Sequence, residues 1–311
     1  MARIVRVGTR GSALAMRQAE EVTTALKKIH TSVTTEIRIV ETLGDRRTSV
    51  PIEMIPGSGR FTRTLEERLV EGCIDLAVHS AKDLPWKLLE GLTIGAIPAR
   101  EDPRDALIST GGNGIDKLPQ ACRIGTGSPR RVAQLLRHRK DLIPVPLRGN
   151  LDTRLRRLEY GEMDAIIVGM AGLIRMGWES VVGEIMDPVV MMPAAGQGAL
   201  IVEARERDEE ILELIRPLDH EDSHVTVEAE RSVLSYLEAG CGLPIGVLAL
   251  AEDSTVVLRG TLLSSDGSLF SSAQVSGRKH DGARLGKKLA KRLLRKGGKG
   301  IVEAWTKESR E

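Results

Sequence analysis

Cys241 stands in Glu238-Ala239-Gly240-Cys241-Gly242-Leu243-Pro244-Ile245-Gly246, just past an amphipathic segment at Ser223–Leu237. Glycines on both sides leave a thiol little shielded, which suggests covalent work. A free cysteine in a helix-to-strand turn is the alternative. A thiol beyond a helix C-terminus faces the negative end of the dipole, which disfavours the thiolate. Such a place suits one alkylation kept as a stable thioether better than repeated turnover. The other two cysteines, Cys73 and Cys122, lie in apolar strand-like runs and are expected to pack as small hydrophobes.

A second chemistry collects at strand-to-helix turns. Gly8-Thr9-Arg10-Gly11-Ser12 and Gly125-Thr126-Gly127-Ser128-Pro129-Arg130-Arg131 each read as a strand end, a small-residue turn and a helix start. Backbone N–H groups and a hydroxyl converge there, and the helix N-terminus favours an anion. Ser128 fits the N-cap position and Pro129 the first helical one. Arg130 and Arg131 oppose the dipole in that first turn, so they call for an anionic partner; a plain cap with solvated arginines is the alternative. Arg10, Arg148, Arg154 and Arg175 occupy similar settings beside glycines. A guanidinium fork matches carboxylate or phosphate bidentately, and this many forks suggest a ligand bearing several carboxylates. Neither a P-loop nor a dinucleotide-binding glycine signature is present, which disfavours a nucleotide. Lys82-Asp83 places a cation and a carboxylate on one turn. Asp83 could hold a cationic N–H or transfer protons, or simply shape an Asp-Leu-Pro turn. His79 reads as structural, and no residue spacing suggests a metal site.

The elements that position these residues follow an α/β pattern. Strands are expected at Arg3–Val7, Glu36–Glu41, Ile74–Val78 and Leu92–Pro98, the last crossing into a second domain. Helices are expected at Ala13–Ile29 and Thr62–Glu71, with a long surface loop at Gly44–Arg60. The second domain repeats the first: Gly161-Glu162-Met163-Asp164 before an apolar strand echoes Gly72-Cys73-Ile74-Asp75. Two related α/β lobes with a cleft between them follow. The boundaries drawn are 1–98 with about 194–217, 99–193, and 218–311. The third domain is a small α+β unit: helix Ser223–Leu237, strands near Ile245–Ala251, Thr255–Leu263 and Leu269–Val275, and a basic helix near Ala283–Leu294 ending at Gly297-Gly298. The Lys-rich stretch Lys287–Lys299 reads as a solvated helix face.

Composition narrows the function classes. The net charge of +2 gives no global polyanion-binding character, and 2% aromatic residues leave little for stacking on nucleic acid. Three cysteines without framework spacing suit a reducing cytoplasm. The first residues read as a strand and not a leader, and no apolar run approaches the ~20 residues of a membrane span. Expected partners are therefore small molecules, with no nucleic acid and no membrane, and the protein is expected to be a cytoplasmic monomer.

Taken in order, the motifs resemble the porphobilinogen deaminase (hydroxymethylbilane synthase) family. They are Gly8–Ala15, Ala77–Pro85, Gly125–Arg131, Leu147–Leu155, Ala171–Arg175, Ala229-Glu230-Arg231 and Gly240–Gly246. The resemblance implies three domains, the first two like type II periplasmic binding proteins. It implies a dipyrromethane cofactor, built from two substrate units and joined to Cys241 through a thioether. Four porphobilinogens would be linked head to tail with loss of ammonia, and hydrolysis would release the linear tetrapyrrole hydroxymethylbilane. Each pyrrole carries acetate and propionate, which Arg10, Arg130, Arg131, Arg148, Arg154 and Arg175 would bind, helped by Ser12, Ser80, Lys82, Thr126 and Ser128. Asp83 would accept pyrrole N–H groups, stabilise positive charge and move protons. The turn at Gln197 would lie near the growing chain.

Two stretches depart from the family. Family members often carry Gly-Gly-Lys-Gly-Leu-Phe in the long loop, where this chain has Met54-Ile55-Pro56-Gly57-Ser58-Gly59-Arg60-Phe61. Ser58 replaces the usual lysine. Arg60, with Arg63, is expected to supply the missing charge, and Phe61 to stack on a pyrrole. Gly127-Ser128-Pro129 stands where Ser-Ser-Leu is common. Rival readings are a non-catalytic two-lobed binder of small carboxylates and a degenerate relative acting as a regulatory module.

Overall fold

A computed structural model describes residues 4–42, 62–240 and 242–308. Cys241, Met54, Ser58, Arg60, Phe61 and the expected loop at Gly44–Arg60 lie outside the described residues. The chain divides into two compact units, one of residues 1–101 with 199–224, the other of 102–198 with 225–311.

In the first unit β1 (Ile4–Thr9) leads into α1 (Ala13–Ile29), then β2 (Thr34–Ile39), α2 (Arg63–Val70), β3 (Leu76–Ser80) and β4 (Leu92–Ala96). The second unit begins with β5 (Asp105–Ser109), β6 (Arg123–Gly125), α3 (Pro129–His138), β7 (Ile143–Val145), α4 (Leu151–Glu159), β8 (Ala165–Gly169), α5 (Met170–Met176) and β9 (Glu184–Ile185). The chain then returns to the first unit through β10 (Leu200–Arg205) and α6 (Glu209–Ile215). The first sheet has the order β2-β1-β3-β10-β4, with β10 antiparallel to both neighbours. The second has the order β7-β6-β8-β5-β9, with β5 antiparallel to both of its own. The two lobes thus share one topology, and in each the antiparallel strand belongs to the segment that follows a crossing. Both are mixed α/β sheets, the class expected from the repeat.

The repeat extends to side chains. Arg6 donates its backbone N–H to Asp75 Oδ2 at 2.8 Å and its Nη2 to Oδ1 at 2.7 Å, while the Asp75 N–H donates to Arg6 O at 2.8 Å. Arg123 and Asp164 make the same three bonds at 2.8, 2.8 and 2.9 Å. In both lobes a glycine three residues before the aspartate turns the chain with positive φ, +71° at Gly72 and +72° at Gly161. The Gly-x-x-Asp echo is therefore one clamp built twice, tying the start of the first strand to the start of the third.

The remaining residues form α7 (Glu221–Leu237), the antiparallel sheet β11 (Ile245–Glu252), β12 (Thr255–Leu263) and β13 (Phe270–Arg278), and helices α8 (Gly282–Leu293) and α9 (Lys299–Glu308). Helix α8 buries Leu285, Leu289 and Leu293 in the core of this sheet and exposes Lys287, Lys288 and Lys291. That is the solvated basic face expected from the sequence. Within its unit the sheet is bonded to the second lobe: the Val247 N–H donates to Pro193 O at 2.8 Å.

One expectation needs correction. Cys122 is buried, but Cys73 is exposed; it follows the Gly72 turn before β3 begins, so it never enters the sheet. The basic helix ends toward Gly297-Gly298 as the sequence predicts: Gly297 turns out of helical geometry, at φ +101°, and a further helix, α9, follows. Its Trp305 indole lies over Gly240 and Gly242: a Cβ at either would stand 3.1–3.2 Å from the ring. Any larger side chain at Gly240 or Gly242 would have to displace that ring by a few tenths of an ångström. No helix among the described residues is long and apolar enough to cross a membrane.

Candidate active site

Strands β1 and β3 are parallel neighbours, so their C-terminal ends lie at one sheet edge. From β1 come Arg10 and Ser12; Ser12 caps α1 by accepting the Ala15 N–H at 3.3 Å. From β3 come Ser80, Lys82 and Asp83. The Ala81 N–H donates to Ala199 O, and the Asp83 N–H closes a turn on Ser80 O, both at 3.0 Å. Lys82 and Asp83 are exposed. The Asp83 carboxylate has no hydrogen bond or ion pair among the described residues, and is therefore available to a ligand.

The second unit repeats this edge with different side chains. Strands β6, β7 and β8 are parallel, so the turns after them converge. The Gly125–Ser128 turn runs hard against the next one, because a Cβ at Gly127 would meet Leu147 O at 2.8 Å. Thr126 is buried and its Oγ1 accepts the Ser128 N–H at 3.2 Å. Ser128 occupies the N-cap position and Pro129 the first helical one, as expected, but the Ser128 hydroxyl caps nothing. Arg148 follows in the β7 turn, and Arg154 in α4 donates Nε to Gly149 O at 2.9 Å. Arg175, in the last turn of α5, donates Nη2 to Gly198 O at 3.1 Å.

Arg130 and Arg131 meet an anion supplied by the chain itself. Both are buried against Asp105, the first residue of β5, each with an N···O distance of 2.7 Å. Arg130 Nη1 also donates to Met192 O at 2.7 Å, and Arg131 Nη1 to Ile167 O at 2.8 Å. Burial pulls the Arg131 guanidinium down from its ordinary value; the Asp105 carboxylate opposes this, and the like charge of Arg130 adds to it. Gln197 is buried in the same network and donates Nε2 to Asp105 Oδ1 at 3.0 Å and to Pro103 O at 2.7 Å. Asp105 was not singled out in the sequence. Its signal was an acid heading an apolar strand, Asp-Ala-Leu-Ile, paired with two arginines that called for an anion.

Among the described residues two buried donors go unanswered. Arg148 Nη1 and Arg130 Nε have no hydrogen-bond partner there. A buried donor left unpaired costs ~1–3 kcal/mol, and more when charged. A model of the porphobilinogen deaminase "dipyromethane cofactor binding domain" matches residues 5–213, and one of the same enzyme's C-terminal domain matches 224–295. The chain belongs to the porphobilinogen deaminase family. It is 44% identical to the porphobilinogen deaminase of Syntrophobacter fumaroxidans over 301 residues, covering 97% of each chain. It is also 44% identical to that of Bacillus velezensis, covering 98% of each. Among solved structures it is similar to the methionine binding protein MetQ, with TM-score 0.44, 13% identity, and coverage of 69% of this chain and 89% of that one. For a porphobilinogen deaminase family member the unanswered donors are in keeping. Carboxylate groups of a dipyrromethane would satisfy Arg148 Nη1 and Arg130 Nε, and the Ser128 hydroxyl, which makes no cap bond, lies on the same turn as Arg130. No group of His, Cys, Asp or Glu among the described residues could hold a metal ion.

One buried acid in the first unit titrates abnormally. Glu66 on α2 is 2% exposed. Burial, the largest influence, raises its carboxyl above the ordinary value. The Leu89 N–H bond at 3.0 Å opposes this, and the charge of Glu203 adds to it. A raised value in the folded state stabilises the fold below the ordinary carboxylate range, and that contribution is lost as pH rises through the raised value. Glu66→Gln keeps the acceptor for Leu89. It is expected to melt a few °C above the wild type at pH 8, with the gap closing toward pH 4. Thermal unfolding across that range checks it, and a gap independent of pH would contradict it.

Proposed function

We propose that the protein is a porphobilinogen deaminase. It joins four porphobilinogens head to tail, releasing ammonia at each addition, and one water then cleaves the chain from its primer to give the linear tetrapyrrole hydroxymethylbilane. The observation that carries this reading is 44% identity along almost the whole length of named porphobilinogen deaminases, in a chain whose Asp83 carboxylate is exposed and has no partner among the described residues. We assign three domains, 1–98 with about 194–217, 99–193, and 218–311. We place the protein in the cytoplasm as a monomer.

We assign Cys241 as the attachment point of a dipyrromethane, through a thioether. When bound, that group supplies the electron-rich pyrrole carbon from which the chain grows. Thr126, Ser128, Arg130, Arg131, Arg148 and Lys82 hold its acetate and propionate groups. Arg10, Ser12, Ser80, Arg154 and Arg175 bind the carboxylates of incoming and growing pyrroles, since each fork pairs with one carboxylate. Gln197 acts through Asp105, whose orientation it fixes. Asp83 accepts the N–H of the reacting pyrrole, stabilises the positive charge that builds when ammonia leaves, and takes the proton lost at carbon. Arg60 and Phe61 are assigned to contacts with the growing chain.

Intact-protein mass tests the reading. The wild type made in cells is expected to exceed its sequence mass by two linked pyrroles, and Cys241→Ser to remove the excess together with all turnover of porphobilinogen. A wild type at its bare sequence mass, inactive even when supplied with porphobilinogen, would favour the non-catalytic carboxylate-binding protein.

A further inference from the structure

His79, Glu203 and Glu66 form a buried ionisable triad in the first lobe. His79 Nε2 lies 3.0 Å from Glu203 Oε2, and their side chains are 2% and 0% exposed. Glu203 Oε1 is buried with no hydrogen-bond partner among the described residues. Glu66 is within electrostatic reach of both, and Arg63 on the same helix also acts on it. The apolar residues of this part of the core are Leu65, Leu69, Ile74, Ala77 and Leu92.

The second lobe shows what the fold itself requires there. Leu76 pairs with Val7 as Ala165 pairs with Ile124, and Val78 pairs with Val202 as Ile167 pairs with Leu107. By this register His79 corresponds to Val168, and Glu203 to Ile108. The helix ends match as well: the Cys73 N–H bonds Arg68 O as the Glu162 N–H bonds Arg157 O, which sets Glu66 opposite Leu155. Val168, Ile108 and Leu155 belong to one apolar cluster. The same architecture is thus closed by three aliphatic side chains in one lobe and three ionisable ones in the other. Buried ion pairs are often no more stabilising than apolar residues of similar volume. The fold therefore does not explain the triad.

The strand ends differ in step with it. His79 is followed by Ser80-Ala81-Lys82-Asp83, whereas Val168 is followed by Gly169-Met170-Ala171-Gly172. The ionisable triad lies under the strand end that carries a titratable turn, and the aliphatic one under the end that carries none. We infer that His79 and Glu203 are positioning residues for the reaction, fixing the end of β3 and setting the electrostatic field in which Asp83 works. Charges in a dry core are poorly screened, so their influence reaches across several residues. This inference rests on the deaminase reading above and extends it to residues remote from any substrate contact.

The test writes the second lobe's residues into the first. The double variant His79→Val/Glu203→Ile is expected to fold and to keep its two-pyrrole mass. Its kcat is expected to fall by about tenfold or more, with KM within threefold, and the acidic limb of its kcat–pH profile to move by at least half a unit. A purely structural role would leave that limb in place. Glu203→Gln provides a second arm, because it keeps an acceptor for His79 and removes the charge; it is expected to shift the limb in the same direction. A double variant, or Glu203→Gln should the double variant fail to fold, with wild-type kcat and an unmoved profile would overturn the inference. Failure of the deaminase reading is distinguishable, because the wild type itself would then lack both the added mass and turnover.

Discussion

Asp105→Ala is expected to cost the second unit about 3–5 kcal/mol, the penalty for leaving a buried charge uncompensated. Asp105 is fully buried and accepts from both Arg130 and Arg131, with Gln197 as a third donor. Removing it strands two guanidinium groups that cannot lose their protons. At ~2–4 °C per kcal/mol the melting point should drop by roughly 10 °C or more, with much of the protein lost to aggregation. The other lobe supplies a control. Leu200 stands at the register position of Asp105, and Leu14 and Ala15 occupy the helix positions of Arg130 and Arg131 counted from the two serine caps. The triple variant Asp105→Leu/Arg130→Leu/Arg131→Ala is expected to recover most of the lost stability, yet to carry no added pyrrole mass. Calorimetry and intact-protein mass read the two effects separately. Asp105→Ala melting within 2 °C of the wild type would show that the cluster is not what holds this region.

Asp83→Asn should leave the melting point unchanged and reduce kcat by about 10²–10⁴-fold, the range for removing a positioned acid–base group. Its side chain is exposed, and its carboxylate bonds to nothing among the described residues, so the fold has no stake in it. Asparagine keeps the shape but cannot take a proton or balance a positive charge. Binding should suffer less than turnover, because the arginines that hold the carboxylates are untouched. Steady-state kinetics with porphobilinogen decides it: turnover within threefold of the wild type would remove Asp83 from the chemistry.

Local signals were legible in the sequence. Helix Ala13–Ile29 forms over the span its periodicity predicts, because apolar positions recur at helical spacing behind a serine cap. The Gly-x-x-Asp echo foretold a repeated lobe because its glycine turns are local too. Partners far apart in the chain were not legible. His79 read as structural, but its hydrogen-bond partner is Glu203, 124 positions away on a strand that returns from the other unit. Arg130 and Arg131 showed a need for an anion without showing that Asp105 meets it, since the sheet register and not sequence spacing joins them. Cys73 was misplaced by two or three residues: an apolar run gives a strand's existence better than its first residue.

The interleaving of the lobes bears on how the polypeptide can be made. Strand β10 lies between β3 and β4, yet it is synthesised about 110 residues after them. At ~5–20 residues per second the amino-terminal lobe waits on the order of 10 s on the ribosome with its sheet interrupted between β3 and β4. During that interval Glu66 and His79 have no Glu203 to join, and the edges of β3 and β4 are open to pairing with other chains. The nascent protein should therefore depend on chaperone binding most strongly between the emergence of β4 and that of β10. A permuted gene that brings β10 next to β4 should shorten that dependence.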